Sequence, residues 1–112
     1  MQPSPVYTVT AAAGYVDTYS VNPGLDDPTP PVGGQVVARA RLIKNGVRLG
    51  GMRIEVQWMQ GSELQVCTFL PVYQSGCIIA VRDMAPGVFV PVTVTVRYNG
   101  MTLVGYSGFT PE

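Results

Sequence analysis

Histidine is missing from this 112-residue chain, and charge is scarce: seven basic and seven acidic side chains make up 12% of it. The commonest general base and the commonest transition-metal ligand are therefore absent. The two signs cancel, so no net field draws in a polyanion, and no nucleic acid partner is expected. No stretch approaches the ~20 apolar residues that a transmembrane helix needs, which speaks against membrane insertion. An apolar stripe of helical period is lacking too, and so is any internal repeat. Met1-Gln2-Pro3-Ser4-Pro5 has neither a basic nor a long apolar region and does not read as a signal peptide.

What is abundant is apolar and turn-forming. Apolar residues make up 46% of the chain, and thirteen glycines and ten prolines fall between short apolar runs. Many-stranded all-β proteins are punctuated in this way. Gln35 to Ile43 alternates Val36, Ala38, Ala40 and Leu42 with Val37, Arg39, Arg41 and Ile43. Met52 to Met59 sets Met52, Ile54, Val56 and Trp58 against Arg53, Glu55 and Gln57. Further strands are predicted at Ser62–Leu70, Cys77–Arg82, Val88–Tyr98 and Met101–Phe109, with Val92, Val94 and Val96 sharing a face. Pro91 lacks an N–H, so the strand around it should lie at an edge or break there. Asn45-Gly46 and Asn99-Gly100 are hairpin turn signals.

The first third reads differently. Val6 to Ala13 and Tyr15 to Val21 look like two strands, and Asn22 to Gly34, rich in proline and glycine, looks like loop or linker. Short strands with turn chemistry between them, and no crossover helices, predict an all-β fold, a two-sheet antiparallel β-sandwich. Its core should hold Trp58, Val36, Ile54, Val94 and Val96. Residues 15–112 should form the sandwich, with residues 1–14 as an extra N-terminal strand or arm.

Cys67 and Cys77 are separated by nine residues, which is neither a zinc nor a redox spacing. Two strands joined by a short loop can bring such a pair into disulfide range; the alternative is two separate buried thiols. A bonded pair implies an oxidising compartment: extracellular, cell surface or virion exterior.

The run Asn45-Gly46-Val47-Arg48-Leu49-Gly50-Gly51-Met52-Arg53-Ile54-Glu55-Val56-Gln57-Trp58 resembles the "dGkPvaGa.V.v.w" stretch of bacterial immunoglobulin-like domains. These are the invasin-like or big-type modules of surface and secreted proteins. Later pieces fit in order: Cys67, then Ser75-Gly76-Cys77, Pro86-Gly87, Tyr98-Asn99-Gly100 and Phe109-Thr110-Pro111. The likeness covers about residues 15 to 112. Val47-Arg48-Leu49 departs from the pattern, which has a proline after the first glycine. The resemblance implies an immunoglobulin-like sandwich with spacing, adhesion or assembly roles, and no catalytic residues.

Each candidate site competes with a simpler account. Asp26-Asp27 could offer oxygens to Ca²⁺, but an Asx turn needs only one carboxylate. Arg39 and Arg41, joined across strands by Arg53, could form a basic stripe; with Glu55 as partner they read as a solvated strand face. Val6, Tyr7, Val9, Tyr15 and Tyr19 are candidate interface residues, since exposed tyrosines anchor protein contacts. No enzyme, no cofactor and no metal is expected. The favoured reading is a structural or adhesion module meeting neighbouring domains. The alternatives are a self-assembling subunit of a filament or virion shell, joined to identical subunits by N-terminal strand exchange, and a carbohydrate-binding module.

Overall fold

The computed structural model describes residues 3–10, 14–71 and 76–112. The end of the Val6–Ala13 run, at 11–13, and most of the loop between the cysteines, at 72–75, lie outside the described residues. Nine strands follow in order: β1 (Val6–Thr10), β2 (Val16–Leu25), β3 (Gln35–Lys44), β4 (Val47–Leu49), β5 (Ile54–Gln60), β6 (Glu63–Phe69), β7 (Cys77–Ala80), β8 (Val90–Tyr98) and β9 (Met101–Phe109). All pairings are antiparallel, and no α-helix occurs among the described residues.

Two sheets pack as an immunoglobulin-like sandwich. One runs β1-β2-β3, with β4 and β7 both paired to the far edge of β3; the other runs β6-β5-β8-β9. Period-two alternation decides which side chains enter the core, because successive residues point to opposite faces. Val36, Ala38 and Leu42 from β3 are buried, as are Ile54, Val56 and Trp58 from β5 and Val92, Val94 and Val96 from β8. In register, Trp58 stands opposite Val92 and Gln65, while Ile54 opposes Val96 and Val56 opposes Val94. The indole N–H of Trp58 donates to Gln60 Oε1 at 3.2 Å. A buried tryptophan thereby keeps its polar group satisfied.

Both Asn-Gly turns adopt the left-handed backbone that type I′ hairpins require, with φ of 51° and 80° at Asn45-Gly46 and 49° and 75° at Asn99-Gly100. Asn45 does more than turn the chain. Its N–H donates to Thr18 O, its Oδ1 accepts from Thr18 N, and its Nδ2 donates to Asp17 Oδ1, each at 2.9 Å.

Three features depart from the strand-by-strand expectation. β2 continues through Asn22-Pro23-Gly24 to Leu25, so the loop begins only at Asp26. Pro23 is tolerated because β1 ends its pairing at Ser20 and leaves that stretch of β2 free on one side. Val47–Leu49, where the sequence predicts no strand, forms the short strand β4. Pro91 lies inside β8, paired to Gly108 but one residue beyond the last β5 pair, where a missing N–H costs no ladder bond.

The disulfide forms between Cys67 and Cys77, with Cα atoms 6.2 Å apart. Its two strands are neighbours in sequence but not in a sheet: β6 edges one sheet and β7 the other. The bond therefore staples the two layers together at the margin of the sandwich. Gly76 makes this approach possible, since a Cβ there would meet the Ala38 carbonyl oxygen and the Arg39 side chain.

The Pro/Gly-rich segment after β2 is pinned by the C-terminal residues. Thr110 N donates to Pro28 O at 2.9 Å, Glu112 N to Pro30 O at 3.0 Å and Val32 N to Glu112 O at 3.0 Å. Pro30 and Pro111 are buried in this contact.

Candidate interaction surfaces

The N-terminal strand is held in two different ways. β1 pairs with β2 over five residues, from Val6 opposite Ser20 to Thr10 opposite Val16. Side chains of β1 and of the residues before it then reach the other sheet, whose edge strand β9 pairs only with β8 among the described residues. Tyr7 OH accepts from Val104 N at 2.9 Å, and Ser4 Oγ accepts from Tyr106 N at 2.9 Å and donates to Tyr106 O at 3.3 Å. An exposed strand edge is thus covered by side chains in place of a further strand.

The five candidate interface residues divide accordingly. Val6 and Tyr15 are exposed, at 65% and 74%. Tyr7 and Val9 are half-buried and pack against the core. Tyr19 is not a surface group at all: it is 4% exposed, and its ring lies 6.0 Å from that of Tyr98. The alternation of β2 puts it on the same inward face as Val21, so it contributes to the core and not to an interface. Lys44 Nζ lies 5.6 Å from the Tyr19 ring centroid. A side-chain hydrogen bond with Tyr19, and then charge interactions with Tyr19 and Asp17, raise the Lys44 pKa above the ordinary lysine value.

The opposite margin of the sandwich is different. Among the described residues β6 pairs with β5 alone, and its outward side chains are Leu64, Val66 and Thr68, two of them apolar. Leu64 and Val66 are 59% and 51% exposed, and Met59 stands directly opposite Leu64 on β5. Around the foot of this face, Val88 and Phe89 are also exposed. Phe89 lies over Gly108, where any added Cβ would strike its ring.

Most of the carboxylates already hold the fold. Asp26 Oδ1 accepts from Val37 N at 2.8 Å, and Asp27 Oδ1 accepts from Thr29 N at 2.9 Å in an Asx turn. Glu55 accepts from Gln57 and forms a 3.5 Å ion pair with Arg97. No group of three or more potential metal ligands occurs among the described residues.

The basic stripe is assembled differently from its sequence expectation. Arg53, the residue before β5, lies against the second sheet in a shallow depression with Glu55, Thr95 and Arg97. Among the described residues, Arg39 and Arg41 share an open depression of about 560 Å³ with Arg48 of β4 instead. The chain matches no family model, no curated protein and no solved structure. Functional argument therefore rests on these surfaces.

Proposed function

We propose that this chain is a non-enzymatic structural or adhesion module of the bacterial immunoglobulin-like kind, within an extracellular or cell-surface protein. The carrying observation is the β6 margin, where Met59, Leu64 and Val66 are exposed beside a strand edge that has no partner among the described residues. Contiguous exposed apolar side chains mark protein contacts, and a free strand edge adds main-chain hydrogen bonds to them. Only Glu63, at its first position, gives β6 a charge, and the strand has no proline, so little discourages pairing there. The disulfide across the margin supports an oxidising location. The non-enzymatic reading draws on the structural employment of Asp17, Asp26, Asp27 and Glu55.

In this reading β6 meets a neighbouring protein edge, and a second copy of the chain is the probe at hand. Sedimentation velocity from micromolar to millimolar concentration should show association of the wild type. Val66→Lys should give monomer with an unchanged melting temperature. A wild type that stays monomeric throughout overturns docking at β6.

The five-residue pairing of β1 favours a second reading, in which β1 is exchanged between identical subunits. A neighbour's arm could supply the same β2 pairing and the same Ser4 and Tyr7 contacts to β9. In a head-to-tail arrangement such exchange would build a filament or a ring.

A further inference from the structure

The charges of this chain cancel in number but not in space. All seven basic and seven acidic side chains lie among the described residues. The strands run along the 53 Å axis of the molecule, so their register shows where each charge falls. Lys44 and Arg48 sit at the β3–β4 turn, Arg53 and Arg97 beside the β8–β9 end, and Arg41 opposite Asn22 on the way there. These turns form one end of the sandwich, since Tyr19, opposite Lys44, lies against Tyr98. At the other end, Glu63 follows the β5–β6 turn, Asp27 follows β2, Asp83 follows β7 and Glu112 follows β9. Gln60 Nε2 donates to Ala80 O at 3.1 Å, and Thr110 N donates to Pro28 O at 2.9 Å, which holds these segments together. Asp17 and Glu55 are the acids at the first end, and Arg82 is the base at the second. Five bases against two acids leave a net charge of +3, and four acids against one base leave −3. Arg39 and Asp26 lie near the middle and cancel.

Strands of nine or ten residues separate the two ends by roughly 30 Å, about three Debye lengths at 0.1 M salt. A molecule that touches one end therefore feels that sign and little of the other. The ion pair between Glu55 and Arg97 lies within the basic end and links nothing across the molecule. Like ends of two molecules repel, and opposite ends attract. Every copy of the chain thus carries, at its own far end, the complement of each end of its neighbour.

Both ends also expose apolar side chains. At the acidic end Met59, Met84, Val88 and Phe89 line a groove of about 190 Å³, with Asp83 among its walls. At the basic end Tyr15, Val16 and Val47 are exposed, and Val16 lies three residues beyond the Tyr19–Lys44 pair. Apolar contact at the centre of an interface shields the charge pairs around it from water. We propose that copies of this chain associate head to tail, the basic end of one against the acidic end of the next. The contact uses a different surface of each copy, so it repeats without closing and builds a linear array. Docking at β6 is a separate contact, on the flank of the same axis.

Val66→Lys, which blocks the β6 edge, is the parent for the test by sedimentation velocity. Lowering the salt from about 0.15 M to about 0.01 M should strengthen its association roughly ten-fold, with trimers and longer species following dimers as concentration rises. An apolar strand-edge contact does not strengthen in this way, so failure at β6 and failure at the ends are read separately. Adding Arg48→Glu/Arg53→Glu/Glu63→Lys/Glu112→Lys keeps the net charge and erases its separation, and this variant should stay monomeric at both salts. Its melting temperature checks that it folds. Arg48→Glu/Glu63→Lys alone, a milder change, should associate several-fold more weakly than the parent. Arg48→Lys/Glu63→Asp, which keeps the sign of both ends, should associate as the parent does. A parent that stays monomeric at low salt, or a folded charge-exchanged variant that associates equally, overturns the proposal. Growth that stops at a dimer overturns the head-to-tail order in favour of a closed antiparallel pair.

Discussion

The hydroxyl of Tyr7, on the first strand of one sheet, accepts the backbone N–H of Val104, on the last strand of the other, at 2.9 Å. One side chain thereby ties the N-terminal strand to an edge that would otherwise present unpaired backbone. Tyr7→Phe keeps the ring and removes only that acceptor. A half-buried N–H left without a partner costs about 1–2 kcal/mol, which should appear as an earlier urea midpoint at an unchanged slope. An unaltered midpoint would mean that water replaces the hydroxyl.

Deleting residues 1–13 removes the whole lead-in segment and separates the two uses of β1. With β1 folded onto its own chain, the deletion should lower the melting temperature strongly and leave the size distribution unchanged. Exchange between subunits predicts the reverse: oligomers disappear and a stable monomer remains. Light scattering behind a size column, paired with a thermal melt, reads both.

Trp58 is 8% exposed on the inward face of β5. Trp58→Ala should destabilise by about 3–5 kcal/mol, the range for truncating a large buried aromatic. Domains of this size have only about 5–15 kcal/mol in total, so the variant should melt far below the wild type or fail to fold. An unchanged melt would contradict the packing of β5.

Cys67→Ala/Cys77→Ala should lower stability by about 2.8 kcal/mol in the chain-entropy account of a loop this short. Intact mass with and without reductant checks the bond itself. Free thiols in unreduced protein would remove the support for an oxidising compartment.

Gly105 sits where β9 passes β2, and a Cβ there would lie 2.5 Å from the Val21 carbonyl oxygen. Backbone cannot rotate away as a side chain can. Gly105→Ala should therefore separate the two strands and cost about 1–3 kcal/mol, visible as a lower denaturation midpoint. Full retention of stability would show that the strands part there without loss.

Strand existence, strand phase and the Asn-Gly turns were legible in the residues, because alternation, β-branching and left-handed turn chemistry act over a few positions. Val36, Ile54, Trp58, Val94 and Val96 share the core for that local reason. The choice of sheet for each strand was not local. β6 and β7 adjoin in sequence and yet join opposite layers, because long-range packing decides which edge each one meets. The same distance in space made Arg48 the companion of Arg39 and Arg41 and sent Arg53 to the far sheet. It buried Tyr19 while leaving Tyr15 exposed, although both belong to one tyrosine-rich stretch. Alternation along a strand sets which face a side chain takes; only the closed sandwich sets what that face meets.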